Sequence, residues 1–299
     1  MKKAAVIGNP IEHSKSPLIH NYWLKKLEIE GSYEAIKAVN EKDFENVVSR
    51  LIEKKYCGFN ITVPYKLKAH ELAHKKIDYP KCPYHENLMA SNTIKIDKKG
   101  ELHSYNTDYF GFAASLIQNN IFINKIKNIV ILGAGGAARS IIFGLLSEEL
   151  KTKTKITLLN RSETRAKNLL EDLQIDGGLK DRDLEIQYYP LTDFARSTKD
   201  CDLLINTTTL GMEGGNENSI INLHSSKKNM LVYDIIYNPI ETPLLKAAKD
   251  LGLKTLNGLS MLINQAAAAF EIIYGKEQGT IKPKSINELH KIIEEDLRN

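Results

Sequence analysis

Two side chains that can hold or move a proton, Lys66 and Asp108, stand beside the predicted ends of strands. Lys66 closes the stretch Asn-Ile-Thr-Val-Pro-Tyr-Lys, in which strand alternation places Asn60 and Thr62 on one face. Pro64 ends the strand pairing, so Lys66 follows just beyond it. Oxidation of an alcohol needs a proton acceptor within hydrogen-bond reach of the hydroxyl. Spacing alone keeps two interpretations open, because a lone lysine is usually solvated and Asp108 would also serve as a helix cap.

Two serines form a second candidate site near the start of the sequence. Residues 8–17 are dense in turn formers, and Ser16 before Pro17 predicts a helix N-cap followed by a proline at the first helical position. Ser14 adds a second hydroxyl beside the same helix N-terminus, where a carboxylate is well accommodated. Capping alone is the alternative, but it would need only Ser16 and would leave Ser14 unexplained.

A glycine loop of the dinucleotide-binding kind follows the apolar run 128–132 and leads into a helix. Gly133 permits the tight turn, Gly135 lets the backbone approach a pyrophosphate, and Ala138 replaces the third glycine of the usual pattern. Amides at the helix N-terminus would meet the phosphate charge. The alternative is a tight strand-to-helix turn without a ligand. The surrounding strands favour a cofactor, with contacts from Gly133, Ala134, Gly135, Gly136 and Ala137.

The next strand selects between the two nicotinamide cofactors. Residues 156–159 end in Asn160 and Arg161, where an enzyme that uses NAD would place a carboxylate for the ribose 2′-hydroxyl. Arg161 can instead pair with the 2′-phosphate of NADP, and Arg165 lies about one helical turn further on. A solvated basic face is the alternative interpretation. Thr207, just after another predicted strand, would face the ligand crevice or merely cap a turn.

These residues are positioned by an α/β chain in two parts. In the first part we predict strands at 4–7, 32–38 and 56–63, helices at 17–27 and 43–53, and a hairpin of 90–96 with 102–106. After Asp108, strands and helices alternate, which predicts a doubly wound parallel sheet. Its strands are expected at 128–132, 155–159, 184–188, 203–206 and 230–234. The last helices are expected at 259–274 and 285–297.

Composition indicates an ordinary globular chain of 299 residues, 42% hydrophobic and 26% charged, with a net charge of +4. This small charge gives no case for a nucleic-acid partner but is compatible with a small anionic substrate. Cys57, Cys82 and Cys201 are odd in number and far apart, so we expect neither a disulfide framework nor a metal site, and a reducing cytoplasm fits best. The apolar run near the N-terminus is too short for a signal peptide, and none reaches a membrane-spanning length.

A series of motifs in one order resembles the shikimate dehydrogenase family over nearly the whole chain. The run Gly-x-Pro-Ile-x-His-Ser-x-Ser-Pro-x-x-His-Asn occupies residues 8–21, and the lysine motif occupies residues 60–66. Further matching motifs are Asn92-Thr93, Asn106-Thr107-Asp108, the glycine loop 133–139, Asn160-Arg161 and the stretches 206–212, 234–245 and 258–265.

The resemblance implies an N-terminal α/β substrate domain, a doubly wound Rossmann-type NADP domain, and C-terminal helices that return to the first domain. It divides the chain into a substrate-binding catalytic domain at 1–107, completed by 258–299, and a cofactor domain at 108–257. The implied activity is reversible, NADPH-dependent reduction of 3-dehydroshikimate to shikimate, in the shikimate pathway to aromatic amino acids.

The same resemblance implies roles for individual residues. We hypothesise that Lys66 passes the proton while Asp108 orients it and binds the reacting hydroxyl; the rival hypothesis is that Lys66 only binds and positions the substrate. The substrate would be lined by Ser14, Ser16, Asn60, Thr62, Asn92, Asp108, Tyr237 and Gln265. Besides the glycine loop, NADP would be contacted by Asn160, Arg161, Arg165, Thr207, Ile235, Gly258 and Met261.

Three alternatives remain open on the sequence. The first is a quinate/shikimate dehydrogenase that accepts NAD, against which Arg161 argues; the second is a non-catalytic sensor of NADP or shikimate-like ligands. The third is a folate-type dehydrogenase, although Ser14 and Ser16 suit a small hydroxy acid better. The segment Lys75–Leu88, which includes Asp78, is longer than the family usually has. The sequence does not fix the oligomeric state, and it keeps a homodimer open.

Overall fold

A computed structural model describes residues 1–77, 88–147, 154–174, 184–212 and 222–298. Asp78 and Cys82 lie outside these residues, as do residues 213–219 of the glycine- and asparagine-rich stretch after Met212. The chain forms two compact units. Unit 1 comprises Met1–Phe112 and Ile263–Ile293, and unit 2 comprises Ala113–Leu262 and Glu294–Asn299.

Unit 1 is built on a mixed six-stranded sheet. Its strands are β1 (Lys2–Gly8), β2 (Gly31–Lys37), β3 (Gly58–Ile61), β4 (Lys75–Lys76), β5 (Thr93–Ile96) and β6 (Leu102–Tyr105), in the order β2-β1-β3-β5-β6-β4. β1 pairs in parallel with β2 and β3, whereas β5 is antiparallel to β3 and β6. The predicted hairpin is therefore β5–β6. β5 begins just after Asn92 and pairs with β3, which ends shortly before Lys66. The sheet therefore brings the segments that carry Asn92 and Lys66 side by side.

Within the described residues of unit 1, strands are followed by the helices α1 (Ser16–Lys26), α2 (Glu41–Glu53) and α3 (Lys66–Leu72). α2 shows why the sequence folds this way locally. The side chain of Asn40 accepts a hydrogen bond from the backbone N–H of Asp43 and caps the helix. Phe44, Val47 and Leu51 are spaced three and four residues apart and are buried against the sheet core.

The C-terminal helices contribute to unit 1, as predicted for the fold. α9 (Leu259–Tyr274) and α10 (Pro283–Asp296) contain the residues that close this unit. Trp23 of α1 is fully buried, stands edge-on to Phe270 and donates its indole N–H to Ser285 Oγ over 3.1 Å. Lys2 Nζ donates to the carbonyl of Tyr274 over 2.8 Å. Apolar burial of these aromatic rings therefore binds the two chain segments of unit 1 together.

Unit 2 holds a wholly parallel six-stranded sheet in the order β12-β11-β10-β7-β8-β9. The strands are β7 (Asn128–Leu132), β8 (Thr154–Asn160), β9 (Leu184–Pro190), β10 (Leu203–Asn206), β11 (Leu231–Asp234) and β12 (Lys254–Leu256). The helices are α4 (Asp108–Gln118), which crosses between the units in sequence, α5 (Gly136–Ser147), α6 (Glu163–Gln174), α7 (Phe194–Thr198) and α8 (Pro243–Asp250).

The order of the strands in unit 2 reverses at β7, which confirms the predicted doubly wound sheet. From β7 the chain continues outward through β8 and β9, then returns to β10 on the other side. In such sheets ligands bind outside the carboxyl ends of the strands at the point of reversal. That point lies between β7, which ends before Gly133, and β10, which ends before Thr207. The local topology therefore places two predicted cofactor residues at adjacent strand ends.

Candidate active site

Lys66 and Asp108 meet in unit 1 although 42 positions separate them. Lys66 begins α3 after β3, and Asp108 begins α4 after β6. Lys66 Nζ donates to Asp108 Oδ2 over 2.6 Å, and the two side chains are only 14% and 9% exposed. A charge pair so poorly hydrated interacts more strongly than a surface pair. The structure thus joins the two groups that were weak candidates when considered singly.

Asn106, and not Asp108, caps helix α4. The backbone N–H groups of Asp108 and Tyr109 donate to Asn106 Oδ1 over 2.9 and 3.4 Å. Asn106 is itself fixed, because its Nδ2 donates to the carbonyl of Ala90 over 2.8 Å. The interpretation of Asp108 as a mere helix cap is therefore wrong, and its carboxylate is turned toward Lys66.

The other oxygen of Asp108 accepts a hydrogen bond from Asn92. Asn92 Nδ2 lies 2.9 Å from Asp108 Oδ1 and 3.2 Å from Gln265 Oε1. On the other side of the amide, Asn92 Oδ1 accepts the backbone N–H of Thr107 over 2.7 Å. Four predicted site residues, Lys66, Asn92, Asp108 and Gln265, are thus brought together through hydrogen bonds.

The side chain of Asn60 is buried, and its hydrogen bonds go to other protein groups. Its Oδ1 accepts from the hydroxyl of Tyr33 over 2.7 Å, and its Nδ2 donates to the carbonyl of Asn92 and to Thr93 Oγ1. Tyr33 and Thr93 were not singled out as site residues from the sequence. Thr62, on the same strand face, is partly exposed, and its methyl group lies so close to Gly8 that a Cβ there would be 2.3 Å away. This close packing places Thr62 beside Gly8, the first residue of the segment 8–17 that contains Ser14 and Ser16.

The predicted N-cap role of Ser16 is wrong. Helix α1 begins at Ser16 itself, because Lys15 already has helical backbone angles of −84° and −2° and makes no side-chain cap. Ser14 Oγ accepts the backbone N–H of Ser16 over 3.3 Å, so Ser14 supports the helix start. Ser14 remains partly exposed and Ser16 is buried. Both hydroxyls stay beside the helix N-terminus, as expected for a carboxylate site.

The glycine loop of unit 2 is closely packed at Gly133 and open at Gly135. Gly133 has a φ of +105°, and a Cβ there would lie 2.7 Å from Thr207 Oγ1. A Cβ on Gly135 would meet nothing within 4 Å. Helix α5 begins at the next residue, Gly136, so its N-terminal amides border that open space. The loop therefore fits the pyrophosphate of a dinucleotide.

The tip of β8 carries the basic residues predicted to read the cofactor's phosphate. Arg161 and Arg165 are exposed, and neither forms an ion pair with another described residue. Asn160 Nδ2 donates to the carbonyl of Ser162 over 2.7 Å and stabilises the turn. The loop's own arginine, Arg139, is instead buried and paired with Asp172. The structure thus distinguishes a structural arginine from two that are available to an anion.

A buried carboxylate lies behind the strand ends of unit 2. Asp234 is fully buried and accepts from Asn206 Nδ2, the backbone N–H of Ile236 and Thr242 Oγ1, over 3.0, 3.1 and 2.7 Å. Burial raises the pKa of Asp234 from its usual 3.8 to about 6, although the three donors lower it. Thr207 Oγ1 donates to the carbonyl of Leu132 over 2.6 Å. These contacts hold the turns after β7, β10 and β11.

Gly258 is required by packing against Ile235. A Cβ on Gly258 would lie 1.8 Å from the carbonyl oxygen of Ile235, and its N–H donates to the carbonyl of Ile236 over 3.0 Å. Met261 is buried one turn later, and Tyr237 is partly exposed. The structure places these predicted residues in unit 2, and their contacts with cofactor or substrate stay predictions.

A carboxylate and histidine cluster in the β5–β6 hairpin was not predicted from the sequence. Asp97, Glu101 and His103 offer ligand atoms within 4.8 Å of one another. Asp97 Oδ1 already accepts the backbone N–H groups of Lys99 and Glu101, and Lys75 pairs with Glu101 over 3.1 Å. The hairpin turn and this ion pair account for the arrangement without an ion.

Two further observations concern the helices and the cysteines. Within the described ranges, no helix has both the length and the apolar character needed to cross a membrane. Cys57 and Cys201 are free thiols. Burial raises the pKa of the Cys201 thiol to about 12, which makes it unreactive.

The fold and the site define a two-unit α/β protein with a glycine-loop dinucleotide sheet and a buried lysine–aspartate pair, the class to which dehydrogenases acting on alcohols belong. A family model described as the shikimate dehydrogenase substrate binding domain matches residues 6–81, and one described as shikimate / quinate 5-dehydrogenase matches residues 116–260. The chain therefore belongs to the shikimate dehydrogenase family.

Individual relatives cover nearly all of the chain. A shikimate dehydrogenase (NADP(+)) of Methanococcus vannielii is 38% identical over 92% of this chain and 92% of its own. One from Rhodopseudomonas palustris is 37% identical over 98% of this chain and 95% of its own. The crystal structure of shikimate 5-dehydrogenase from Thermus thermophilus in complex with NADP(H) and shikimate is similar with a TM-score of 0.77, 28% identity, and coverage of 98% and 99%.

Proposed function

We propose that this protein catalyses the reversible, NADPH-dependent reduction of 3-dehydroshikimate to shikimate, in the pathway to aromatic amino acids. The observation that carries the proposal is the buried contact of Lys66 with Asp108, held by Asn92 beside Gln265. These are the groups that a polyhydroxylated ring and its reacting hydroxyl require: a proton carrier, a hydrogen-bond acceptor and two amides. The curated relatives named above carry the same activity in their names.

The substrate is proposed to bind in the domain formed by residues 1–107 and 258–299. Ser14 and Ser16 hold the carboxylate beside the N-terminus of α1, where backbone N–H groups favour an anion. The reacting hydroxyl binds Lys66 and Asp108. The remaining substrate contacts are proposed to come from Asn60, Thr62, Asn92, Tyr237 and Gln265. Asn60 would act largely through its neighbours, because its amide is bonded to Tyr33 and Thr93.

NADP is proposed to bind in the domain of residues 108–257. The empty space beside Gly135 and the start of α5 suit its pyrophosphate. Arg161 and Arg165 suit its 2′-phosphate, since both are exposed and no carboxylate stands at the tip of β8. Asn160, Thr207, Ile235, Gly258 and Met261 complete the proposed contacts. When bound, the cofactor would accept hydride from, or donate hydride to, the carbon that bears the reacting oxygen.

The chain's own residues manage the proton. In shikimate oxidation the hydroxyl proton would pass to the lone pair of Lys66 Nζ as the carbonyl forms and hydride leaves the carbon for NADP. Lys66 Nζ contacts Asp108, which binds the hydroxyl in this proposal. Asp108 uses Oδ2 to orient Lys66 and Oδ1 to accept from Asn92. The carboxylate is therefore held at both oxygens and cannot rotate away from the lysine. In the reverse reaction the same lysine returns the proton to the carbonyl oxygen.

The first experiment measures NADP reduction with shikimate and with quinate, each repeated with NAD. We expect shikimate with NADP to give the highest kcat/KM. Dominant activity with quinate and NAD would instead support the quinate/shikimate alternative. No turnover with any pair, together with tight NADP or shikimate binding by calorimetry, would support a non-catalytic sensor and overturn the proposal.

The second experiment separates proton transfer from substrate binding at Lys66. Lys66→Ala is expected to lower kcat by about a hundredfold or more, the usual contribution of a positioned acid or base. Its matched control is Lys68→Ala on the same helix, which removes a lysine that pairs with Glu45 over 3.0 Å. A Lys66→Ala variant that keeps its kcat and loses only affinity for shikimate would refute the proton-transfer role of Lys66. It would leave the proposed activity unaffected.

Location and assembly complete the proposal. We propose the cytoplasm, because a reducing compartment keeps Cys57 and Cys201 as thiols. Cell fractionation would test this location. A homodimer stays a prediction, to be checked by light scattering of the purified protein.

A further inference from the structure

We infer that a buried chain of side chains, Tyr33–Asn60–Thr93, positions the amide of Asn92 so that it donates to Asp108. Tyr33 and Thr93 are proposed as positioning residues, since they act on the reacting groups only through Asn60 and Asn92. The inference rests on the proposed function and adds Tyr33 and Thr93, to which no part in the site has been given. All four side chains are buried in unit 1.

The orientation of the Asn92 amide is dictated by a backbone donor. The N–H of Thr107 lies 2.7 Å from Asn92 Oδ1, so that atom must be the oxygen. Nδ2 then necessarily faces Asp108 Oδ1, at 2.9 Å, and donates to it. A flipped amide would set its carbonyl against the carboxylate and its NH₂ against another N–H. Both contacts would be repulsive, so the flip removes one hydrogen-bond donor from Asp108 and places the partial negative charge of an amide oxygen beside its carboxylate.

The orientation of the Asn60 amide is dictated by a backbone acceptor. The carbonyl of Asn92 accepts from Asn60 Nδ2 over 3.1 Å, and a carbonyl can only accept. Asn60 Oδ1 therefore faces Tyr33, whose hydroxyl must donate, over 2.7 Å. The second hydrogen of Nδ2 goes to Thr93 Oγ1 at 2.9 Å. Thr93 can then give its own proton to Asn92 Oδ1, 3.2 Å away.

Every proton in this chain of hydrogen bonds thus points toward the reacting centre. It starts at the Tyr33 hydroxyl, passes through Asn60 and Thr93, and ends on the oxygen of Asn92. Aligned hydrogen bonds in a poorly hydrated interior polarise and strengthen one another. Thr93 therefore supports the oxygen end of the Asn92 amide, and the nitrogen end faces Asp108 together with Thr107 Oγ1 and Gln265 Oε1.

Two motif residues without another assigned purpose hold the start of the chain. The side chain of Asn21 donates to the carbonyl of Tyr33 over 2.8 Å and accepts its N–H over 3.0 Å. His20 stacks on the Tyr33 ring with centroids 4.0 Å apart and an interplanar angle of 12°. Burial lowers the pKa of His20 to about 3, so it stacks as a neutral ring. Helix α1 therefore fixes both the backbone and the ring of Tyr33.

The test uses Thr93→Val, which keeps the shape of the side chain and removes only the hydroxyl. Calorimetric titration with NADP gives the number of competent sites, and kcat is expressed per site. We expect about a tenfold loss of kcat per site, near the upper end of the net contribution of one neutral hydrogen bond, with NADP affinity within about twofold of the parent. Thr93→Ser restores the hydroxyl and is expected to return kcat per site to within about twofold.

Thr198→Val is the matched control, because Thr198 is also fully buried but donates to a helix carbonyl in unit 2. It loses the same hydroxyl and is expected to keep kcat per site. Should Thr93→Val fold poorly, Tyr33→Phe removes the first donor of the chain and is expected to lower kcat per site about threefold. Unchanged kcat per site in the folded Thr93 or Tyr33 variant, or an equal loss in Thr198→Val, overturns the inference. A parent protein inactive on shikimate overturns both proposals, whereas an active parent with unaffected variants overturns this one alone.

Discussion

Replacing Asp234 by asparagine is expected to raise the free energy of unfolding of unit 2 at neutral pH. It should also remove the part of that free energy's pH dependence that comes from Asp234. The carboxyl is fully buried between three donors, and its pKa is raised from 3.8 to about 6 by burial. An asparagine can keep the arrangement. Its oxygen can accept from Asn206 and Ile236, and its NH₂ can donate to the hydroxyl of Thr242, which turns to accept.

The magnitude follows from linkage between protonation and folding. The folded pKa lies above the unfolded one, so stability is greatest below pH 3.8 and falls as the pH rises through about 6. One pKa unit corresponds to about 1.4 kcal/mol, so the ionised Asp234 costs about 3 kcal/mol at pH values of about 7.5. At a pH of about 4.5 the same calculation gives a cost of about 1 kcal/mol. The variant should therefore gain about 2 kcal/mol relative to the parent between these conditions.

Amide hydrogen exchange of β10 and β11 measures this free energy locally, because both strands flank the carboxyl. Parent and Asp234→Asn would be compared at the two pH values. Asp250→Asn, an exposed carboxylate on α8 paired with Lys246, is the matched control and should change little. A parent–variant difference that is the same at both pH values would refute the assignment of a raised pKa to Asp234.

Two further predictions concern the cofactor. Arg161→Glu should weaken NADP binding about a hundredfold and leave NAD binding nearly unchanged, because the 2′-phosphate loses its partner and meets a like charge. Fluorescence titration with both cofactors measures the two affinities. Arg196→Glu is the control, because it changes the net charge by the same amount. Gly133→Ala should destabilise unit 2 by about 3 kcal/mol and weaken NADP binding, because its φ of +105° is strained for alanine and the new Cβ would lie 2.7 Å from Thr207 Oγ1. Gly252→Ala shares the left-handed backbone, with φ +71°, but has open space, so a loss of equal size there would contradict the steric argument.

The fold was largely predictable because its strongest signals are local. β7 and β10 have the predicted bounds, since a strand covered on both faces reads as an unbroken apolar run. The two-residue strand β4 was not predicted, because Lys75 and Lys76 are exposed and their pairing with β6 depends on the fold. Helix starts also depended on backbone geometry, as the misplaced cap at Ser16 illustrates.

The site was predictable only in part, since its contacts join distant segments. Residue type and strand ends made Lys66 and Asp108 candidates, but their pairing across 42 positions required the structure. Gln265 lies 173 positions from Asn92, and only the family motif suggested that they share a site. Tyr33 carries no local signal of its role, because a tyrosine in a strand is ordinary and its hydroxyl partner comes from another strand.

The discontinuity of unit 1 has a consequence for synthesis on the ribosome. Its final segment, Ile263–Ile293, is made only after all of Ala113–Leu262, so the pocket that receives Trp23 and Lys2 lacks Phe270, Tyr274 and Ser285 until late. The stretch Ala113–Leu262 is continuous, so it can bury its parallel sheet during translation, before the last segment of unit 1 is made. Until that segment is made, Trp23 of α1 lacks its partners Phe270 and Ser285, so unit 1 can complete its core only after residues 263–293 have left the ribosome.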